Sequence, residues 1–591
     1  MSFYISNECV ACQACSKICP KQAIAFDGEQ FQINQDKCVS CGTCYKTCHI
    51  QAIKDTENPE VPTSTEGLES EYDCDFLAIG SGPAGLASAV RMAQQGYKVI
   101  VLEALKVLGG AGFYATFMRA FGTKMEKEAG LPENMEDYIR AANNLTHWEL
   151  DLKLVNRGMK AVGEVFDWLC TWADMEEVYA IGHTPFGVML DMKRGRATAP
   201  YITQKYIDKA HELGIKFLTE TRAKELIIED NKIKGVIADA PNGEIKVNCK
   251  ACIIATGNMA CSEEIERFVP GYAKAEHNRN AHRLPTNTGD GVRMLENAGV
   301  PIDEKGVACH YLGAMPDFFD GDVVKHGLRG EGVRVNKNGE RFISECVDRF
   351  DAVTKLMEQP DAISFNIIDA NIMEQDVRPT IKLRTDIGGN LALGIPQEGK
   401  PLPMVDFMGF PILLDDNGNP LPSPLLELGD HDKMVVDRQI SVIDRFKSYG
   451  NFKKKIVCVA DTIEELAEQM GVPADKLVAT INRYNEMSKN GCDEDFSKYP
   501  NYMIPIEKAP FVAIKCYLGS DGAFGGIYIN EDCQVLNNGV AIEGLYAGGD
   551  NTSGNYLKEG NKRLEMINDY TWANASGFMV GRHAGEYLKN K

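Results

Sequence analysis

Eight cysteines crowded into the first 48 residues constrain this 591-residue chain more than any other feature. Cys9, Cys12, Cys15 and Cys19, followed by Pro20, read CxxCxxCxxxCP. Cys38, Cys41, Cys44 and Cys48 repeat the spacing, with His49 in place of the proline. Such short spacings make a tightly turning backbone converge its thiolates, and the doubled run suits two iron–sulfur cubes in which the fourth cysteine of each run ligates the other cube. Cys9, Cys12, Cys15 and Cys48 are therefore expected to hold one 4Fe-4S cluster, and Cys38, Cys41, Cys44 and Cys19 the second. Zinc knuckles use two separated cysteine pairs, and the swapped double run has no tetrahedral counterpart. The segment Cys44–His49 is CxxxCH, one residue too long for c-type haem attachment.

The other eleven cysteines, from Cys74 to Cys533, follow no ligand spacing and read as small buried hydrophobes in a reducing compartment. A cytoplasmic protein is expected. Its formal charge of −21 and pI near 5.1 oppose attraction to nucleic acid or anionic lipid. No apolar run has bilayer length, and the first residues, MSFYISNECVACQAC, lack a basic segment followed by an apolar stretch, so neither export nor a membrane anchor is expected.

At this length, with 44% hydrophobic residues, several cores are expected. The cysteine-rich head (1–55) gives way to a polar, acidic stretch (56–72) with Pro59 and Pro62, which reads as a linker. A strand, Phe76 to Ile79, then leads into Gly80, Gly82 and Gly85, with Pro83 and Ala84 inside the turn. A helix follows, then a second strand, Val99 to Leu102, ending at Glu103. In this order the glycines permit a tight turn and close backbone approach. The helix N-terminus faces a pyrophosphate, and the acid reaches ribose hydroxyls. Farther on, DTIEELAEQMGVPADKLVATINRYNEMSKNG predicts two packed helices, with Thr462 and Glu465 spaced as a capping box.

Two resemblances follow from these residues. The head resembles a bacterial two-cluster ferredoxin. From Asp73 onward the chain resembles the flavoproteins of the fumarate reductase and succinate dehydrogenase superfamily. The second likeness is carried by CIIATGN (Cys252 to Asn258), GLYAGGD (Gly544 to Asp550), Gly109 with Gly110, and TNTGDG (Thr286 to Gly291). It implies FAD, held at Thr256, Gly257, Thr288, Gly289, Asp290, Gly526 and Gly549, with Asp550 at the ribityl chain. No second glycine fingerprint serves a nicotinamide, so a ferredoxin, a flavodoxin or another low-potential donor feeding the head is the expected reductant. The expected fold class is α/β and α+β multidomain: a ferredoxin-like two-cluster head, then a Rossmann-like FAD domain (73–290 and 510–591) with an inserted capping domain (291–509).

The resemblance also implies chemistry. In that family, hydride leaves flavin N5 for one alkene carbon while an arginine of the cap protonates the other, and the arginine follows a signature resembling VNxxGxRFxxE. Here VNKNGERFISECVDRFDA (Val335 to Ala352) places Arg349 at that position, with Glu345 and Asp348 as carboxylates to restore its proton. A surface salt bridge is the ordinary fate of an arginine in so charged a run.

The substrate-gripping positions depart from the family. His310 stands where relatives resemble HPT, but Tyr311 and Leu312 follow it. DGAFGG (Asp521 to Gly526) replaces a pattern resembling HHTMGG, and Arg563 or Lys562 has no clean match to NRLGGN. A dicarboxylate needs several paired donors, so fumarate itself is disfavoured. Phe524, Tyr556, Tyr570 and Trp572, if not core, suit a flatter unsaturated substrate such as an aromatic acrylate, an enone or a steroid-like ring. The expected activity is anaerobic reduction of an activated C=C bond. The alternatives are a ring-ketone dehydrogenase working in the oxidative direction, or an electron-transfer subunit, which would need neither the arginine signature nor a cap.

Overall fold

The computed structural model describes residues 3–6, 9, 15–16, 19, 21, 23–26, 31–42, 44–45, 48, 52–55, 68–113, 115, 118–124, 127, 136, 139, 150–175, 178–184, 187–192, 198–268, 286–304, 307–314, 327, 329–347, 352–373, 442–447, 456–554 and 569–591. For 26, 119, 178–184, 187–192, 307–314, 442, 445 and 519–524 it describes the backbone alone.

The head contains four three-residue strands, β1 (Phe3–Ile5), β2 (Ile24–Phe26), β3 (Phe31–Ile33) and β4 (Ile53–Asp55). β1 pairs antiparallel with β4, Phe3 opposite Asp55, and β2 with β3, Ile24 opposite Ile33. Alternate residues point inward, so Phe3, Ile5, Ile24, Phe31, Ile33 and Ile53 form a small core together with Cys15, Cys19, Cys44 and Cys48. A unit this small buries too little apolar surface to be robust without a bound inorganic core.

The larger unit begins with β5 (Glu71–Ile79), α1 (Pro83–Gln94) and β6 (Val99–Leu102). β7 (Met118–Ala120), α2 (Leu152–Leu169), β8 (Val178–Thr184), β9 (Gly187–Met192) and α3 (Thr198–Glu212) follow. Then come β10 (Lys216–Leu218), β11 (Arg222–Glu229), β12 (Lys232–Ala240), β13 (Gly243–Ile254) and α4 (Asp290–Asn297). Phe76 to Ile79 and Val99 to Leu102 are buried throughout, as strands covered on both faces must be. β5 runs parallel to β6 and to β13, with Ile79 level with Leu102 and Ile254.

The cap is a five-stranded sheet of β14 (Val307–Ala314), β15 (Val333–Asn336), β16 (Ile363–Asp369), β17 (Val457–Ala460) and β18 (Phe511–Phe524), ordered β14-β18-β16-β15 with β17 also on β18. α5 (Ile463–Met470) and α6 (Ala474–Asn490) pack on it through Leu466, Met470, Leu477, Ile481 and Tyr484. Thr462 Oγ1 accepts from the Glu465 amide at 3.1 Å, and Glu465 reaches back to the Asp461 amide at 3.3 Å, so the expected capping box forms with its return bond shifted one residue before the N-cap.

The chain then returns to the first sheet as β19 (Gln534–Asn537), β20 (Val540–Ala547) and α7 (Asp569–Lys589). β20 lies parallel to β13, Ala547 level with Ile254. α7 crosses α1 at close range. A Cβ at Gly577 would sit 2.3 Å from the Ala84 carbonyl oxygen, one at Gly581 2.6 Å from Arg91 Cβ, and one at Gly585 2.0 Å from the Gln95 side chain.

Three boundaries differ from expectation. β18 is a cap strand, so the return to the nucleotide-binding unit comes after Phe524 rather than at 510. Val292, Met294 and Leu295 of α4 belong to the core of the first unit, so the cap begins beyond that helix rather than at 291. β5 starts at Glu71, inside the expected linker. The β18 boundary was missed because apolar alternation marks a strand but not which sheet it joins.

Candidate functional site

The carboxyl ends of β5, β6, β13 and β20 open on one crevice, the place where an open parallel sheet takes its ligand. Gly80 and Gly85 close the turn between β5 and α1. A Cβ on Gly80 would meet the Ala255 carbonyl oxygen at 2.3 Å, and one on Gly85 the Gly80 carbonyl oxygen at 1.9 Å. Gly82 is the opposite case, because a Cβ there would find no atom within 4 Å, although its φ of −67° suits any residue. Its bareness thus keeps space clear for something outside the protein, at the N-terminus of a twelve-residue helix begun by Pro83 and Ala84, where amides and the helix dipole favour an anion. Gly110 lies alongside, 3.1 Å from Gly82 Cα by the same measure.

Ser81 ties this turn to its acid. Its amide and hydroxyl donate to Glu103 Oε2 at 3.0 and 2.6 Å, the Leu105 amide donates to Oε1 at 2.9 Å, and the Gly109 amide donates to Ser81 Oγ at 3.1 Å. Burial pushes the Glu103 carboxyl above its ordinary value, against these hydrogen bonds. A carboxylate that accepts these three hydrogen bonds has little more than one of its roughly four lone-pair sites left for a ribose hydroxyl.

On the facing side Asn551 Nδ2 donates to Thr256 Oγ1 at 3.4 Å and to the Ile254 carbonyl at 3.3 Å, while Thr256 Oγ1 accepts from the Gly291 amide at 3.2 Å. Asn258 Nδ2 reaches Asp550 Oδ2 at 3.5 Å. Asn287 packs against Gly257, and its buried Nδ2 has no hydrogen-bond partner among the described residues. A cleared glycine, a helix N-terminus, an anchored acid and a buried unsatisfied amide are what a dinucleotide such as FAD would use.

Ser81, Asn258, Asn287 and Asn551 were not singled out from sequence; small polar residues beside the strand-end glycines were the available signal. Gly526 has φ 107°, and its amide donates to Ser553 Oγ at 3.0 Å. Gly549 donates to Ser576 Oγ at 2.9 Å, joining the crevice to α7. Thr288 and Asp290 turn to Arg222, whose Nη1 lies 3.1 Å from Thr288 Oγ1 and 2.5 Å from Asp290 Oδ2, while Gly289 takes φ 78°.

In the head, Cys19 joins Cys38, Cys41 and Cys44 around one cavity, so the fourth cysteine of the first run lies with the first three of the second. Burial, then the proximity of Cys19, Cys38 and Cys41, pushes the Cys44 thiol up to about 12. Four cysteines that converge on one small cavity suit a cationic group held between their sulfurs. Among the described residues no three His, Cys, Asp or Glu side chains stand within reach of one metal ion. Thiolates on a single zinc ion, each about 2.3 Å from it, would crowd closer than those around a cube. The Ala23 amide donates to Cys19 Sγ at 3.3 Å, and the Ala52 amide to Cys48 Sγ at 3.2 Å. The duplication therefore extends four residues past each run. Cys9, Cys15 and Cys48 are described; Cys12 lies outside the described residues.

In the cap the arginine signature is largely framework. Asn336 Oδ1 accepts from the Asn338 and Glu340 amides at 2.9 and 3.1 Å, and Gly339, at φ 77°, packs on Leu477. Arg341 donates to Glu345 through Nε and Nη2, both at 2.9 Å, and to Asp493 at 3.1 and 2.9 Å. Lys498 completes the network, donating to the Gly332 carbonyl at 2.6 Å and to Tyr484 Oη at 2.9 Å, and lying 3.4 Å from Glu345. Burial alone would raise the Glu345 carboxyl, but Lys498 and Arg341 outweigh it and hold it below its usual range. Asp493 is likewise brought down to about 2, against its burial, chiefly by Arg341.

A carboxylate so neutralised is a poor proton relay, and the relay expected of Glu345 does not suit its surroundings. Arg349, Asp348, Tyr556, Lys562 and Arg563 lie outside the described residues, as do the side chains of His310 and Phe524. Trp572 and Tyr570 are core rather than substrate wall. Trp572 is fully buried with Nε1 on Thr552 Oγ1 at 2.9 Å, and Tyr570 Oη donates to the Ala199 carbonyl at 2.9 Å.

Comparison with known proteins gives a consistent picture. The family described as FAD binding domain matches residues 75–562, and the one described as 4Fe-4S dicluster domain matches residues 8–52. The chain is 25% identical over 531 residues to a vinyl phenol reductase of Lactiplantibacillus plantarum, covering 87% of this chain and 96% of that protein. It is 25% identical over 536 residues to a fumarate reductase (cytochrome) of Shewanella frigidimarina, covering 87% and 77%. Its fold is similar to the open conformation of a flavocytochrome c3 fumarate reductase, with a TM-score of 0.63 at 20% identity, covering 87% of this chain and 78% of that one.

Proposed function

The chain belongs to the FAD binding domain family, and from that premise we propose that it reduces an activated carbon–carbon double bond, drawing electrons through two 4Fe-4S clusters in its head. Bound FAD supplies two-electron hydride chemistry at its flavin and the clusters supply one-electron transfer. The crevice residues divide the work of holding the dinucleotide. Gly82 and the α1 N-terminus take the pyrophosphate, Glu103 a ribose, and Asn287 donates one hydrogen bond to the cofactor.

The observation that carries the reading is the cap network. Arg341, Glu345, Asp493 and Lys498 lock the segment that ends at Val347, two residues before Arg349. Asn336, Gly339, Arg341 and Glu345 of the signature all serve the architecture, and we assign the chemistry to Arg349. Arg349 delivers a proton to one alkene carbon, and Asp348, rather than the neutralised Glu345, restores it. The names of the relatives support an unsaturated substrate, vinyl phenol for one and fumarate for another. A low-potential protein donor supplies the electrons.

The test is anaerobic reoxidation of the reduced enzyme by a panel of cinnamate-type acids, enones and steroids, repeated with Arg349→Ala. The variant should keep flavin and iron yet lose turnover by about two orders of magnitude or more. Unchanged turnover would remove Arg349 from proton delivery.

A further inference from the structure

Among the seven described cysteines of the two runs, Cys41 is the one exposed to solvent. It follows Val39, whose side chain is 57% exposed, and Ser40, held at φ 53°, and it precedes Gly42 at φ 72°. Left-handed positions on either side of Cys41 turn this loop at the surface, so that Val39 and Cys41 both line the four-cysteine cavity and reach solvent. Cys15 and Cys48 of the other ligand set are buried and Cys9 is half-buried. We propose that the Cys19–Cys38–Cys41–Cys44 site is the port where electrons enter, and that Val39 with Lys21 and Lys37 forms a docking surface for a small acidic ferredoxin.

Two independent observations select that partner. An exposed apolar side chain beside a redox site, with a polar rim, has the anatomy of a transient interface whose centre excludes water. Lys21, which lines the cavity, and Lys37, next in sequence to the lining residue Cys38, are both exposed, with Asp36 the acid on the same turn. Charge supplies the second argument. Residues 1–55 hold five lysines and five acids, so the whole formal charge of −21 falls on the remainder of the chain. An acidic carrier is repelled by that remainder and meets a neutral, lysine-bearing face only at the head, whereas a basic carrier would be drawn elsewhere. Each encounter moves one electron from the reduced iron–sulfur centre of the carrier to the cube, with no bond made and no proton moved. Two encounters match one double-bond reduction.

This inference rests on the reading that the head carries clusters, and its test separates the two. The intact holoenzyme is titrated calorimetrically with a small acidic bacterial ferredoxin and, in parallel, with a basic c-type cytochrome. Stopped-flow then follows bleaching of the enzyme's visible absorbance by reduced ferredoxin and by reduced methyl viologen. Lys37→Glu should weaken ferredoxin binding at least about tenfold at low ionic strength, with the difference shrinking as salt is added. Val39→Asp should slow reduction by ferredoxin at least about tenfold and leave reduction by methyl viologen unchanged. Iron and acid-labile sulfide are counted in both variants, and Lys37→Glu, which changes no residue lining the cavity, stands if Val39→Asp loses its cluster. Ferredoxin binding unaltered by Lys37→Glu, or cytochrome binding weakened by Lys37→Glu as much as ferredoxin binding, would overturn the docking surface. Failure of every unsaturated compound to reoxidise viologen-reduced enzyme would instead count against the double-bond reading and leave the port intact.

Discussion

Replacing Lys498 by methionine tests whether charge balance holds the cap together. The buried cluster contains Arg341 and Lys498 against Glu345 and Asp493, two cations and two anions whose side chains are at most 4% exposed. Lys498→Met removes donors to the Gly332 carbonyl, Tyr484 and Glu345 at once and leaves a net negative charge with no water to solvate it. Breaking a buried pair in this way costs about 3–5 kcal/mol. Glu345→Gln alone leaves the opposite excess, at similar cost. The double variant restores neutrality, since Arg341 still faces Asp493 at 2.9 Å, and should fall short of additivity by at least about 2 kcal/mol.

Hydrogen exchange on peptides of α6 and β15 reads this directly, because a local opening cost lowered by about 3–5 kcal/mol corresponds to exchange roughly two to four orders of magnitude faster. The single variants should both show it. The double variant should recover most of the protection. If its exchange were as fast as additive costs dictate, hydrogen-bond count rather than charge balance would explain the network.

Acid should open the cap in a defined window. Asp493 and Glu345 are both depressed in the folded state, so their contribution is complete above the ordinary carboxylate range near pH ~4 and is lost as pH falls toward about 2; Asp493→Asn should flatten that dependence in near-ultraviolet dichroism. Gly82→Val should give a folded, iron-containing protein that copurifies with little or no flavin, because only the crevice opposes the new side chain; stoichiometric flavin in that variant would move the cofactor elsewhere. Cys19→Ala should lower iron from about eight to about four atoms per chain while the other set stays loaded, since its wall position is shared with Cys38, Cys41 and Cys44. Loss of all iron, or of none, would contradict the crossed ligation.

Much of this was legible because certain residues have only one physical use in their setting. Gly80 and Gly85 could be placed from sequence because a strand-to-helix turn tolerates no Cβ against a carbonyl 2.3 or 1.9 Å away. The capping box at Thr462 was visible for the same reason: the pattern is local, and the hydrogen bonds it names are made within four residues. What failed was non-local. Tyr570 and Trp572 read singly as core, and only as a group as a possible substrate wall; the structure makes both core, through contacts outside their own helix. Their partners, Ala199 and Thr552, lie 371 residues before and 20 residues before them and come together only when α7 settles across α1. β18 was assigned to the wrong unit because an apolar run such as residues 511–514 fits either sheet.

Glu345 is the instructive failure. Its position beside Arg349 invited a role in proton transfer, yet the residues that decide its protonation, Arg341 and Lys498, are 4 residues and 153 residues away. A carboxylate becomes a relay only where its two protonation states are close in free energy, and two buried cations remove that condition. The same argument applies in reverse to Glu103. Burial lifts it while Ser81 and the Leu105 amide still hold its oxygens in place, so its charge is sustained by hydrogen-bond donors alone. A ribose hydroxyl would add a donor of the same kind. Ser81→Ala, which removes one of those donors at a buried site, should therefore weaken flavin retention more than it weakens the fold. Equal losses in both would mean that Glu103 serves the turn and not the ligand.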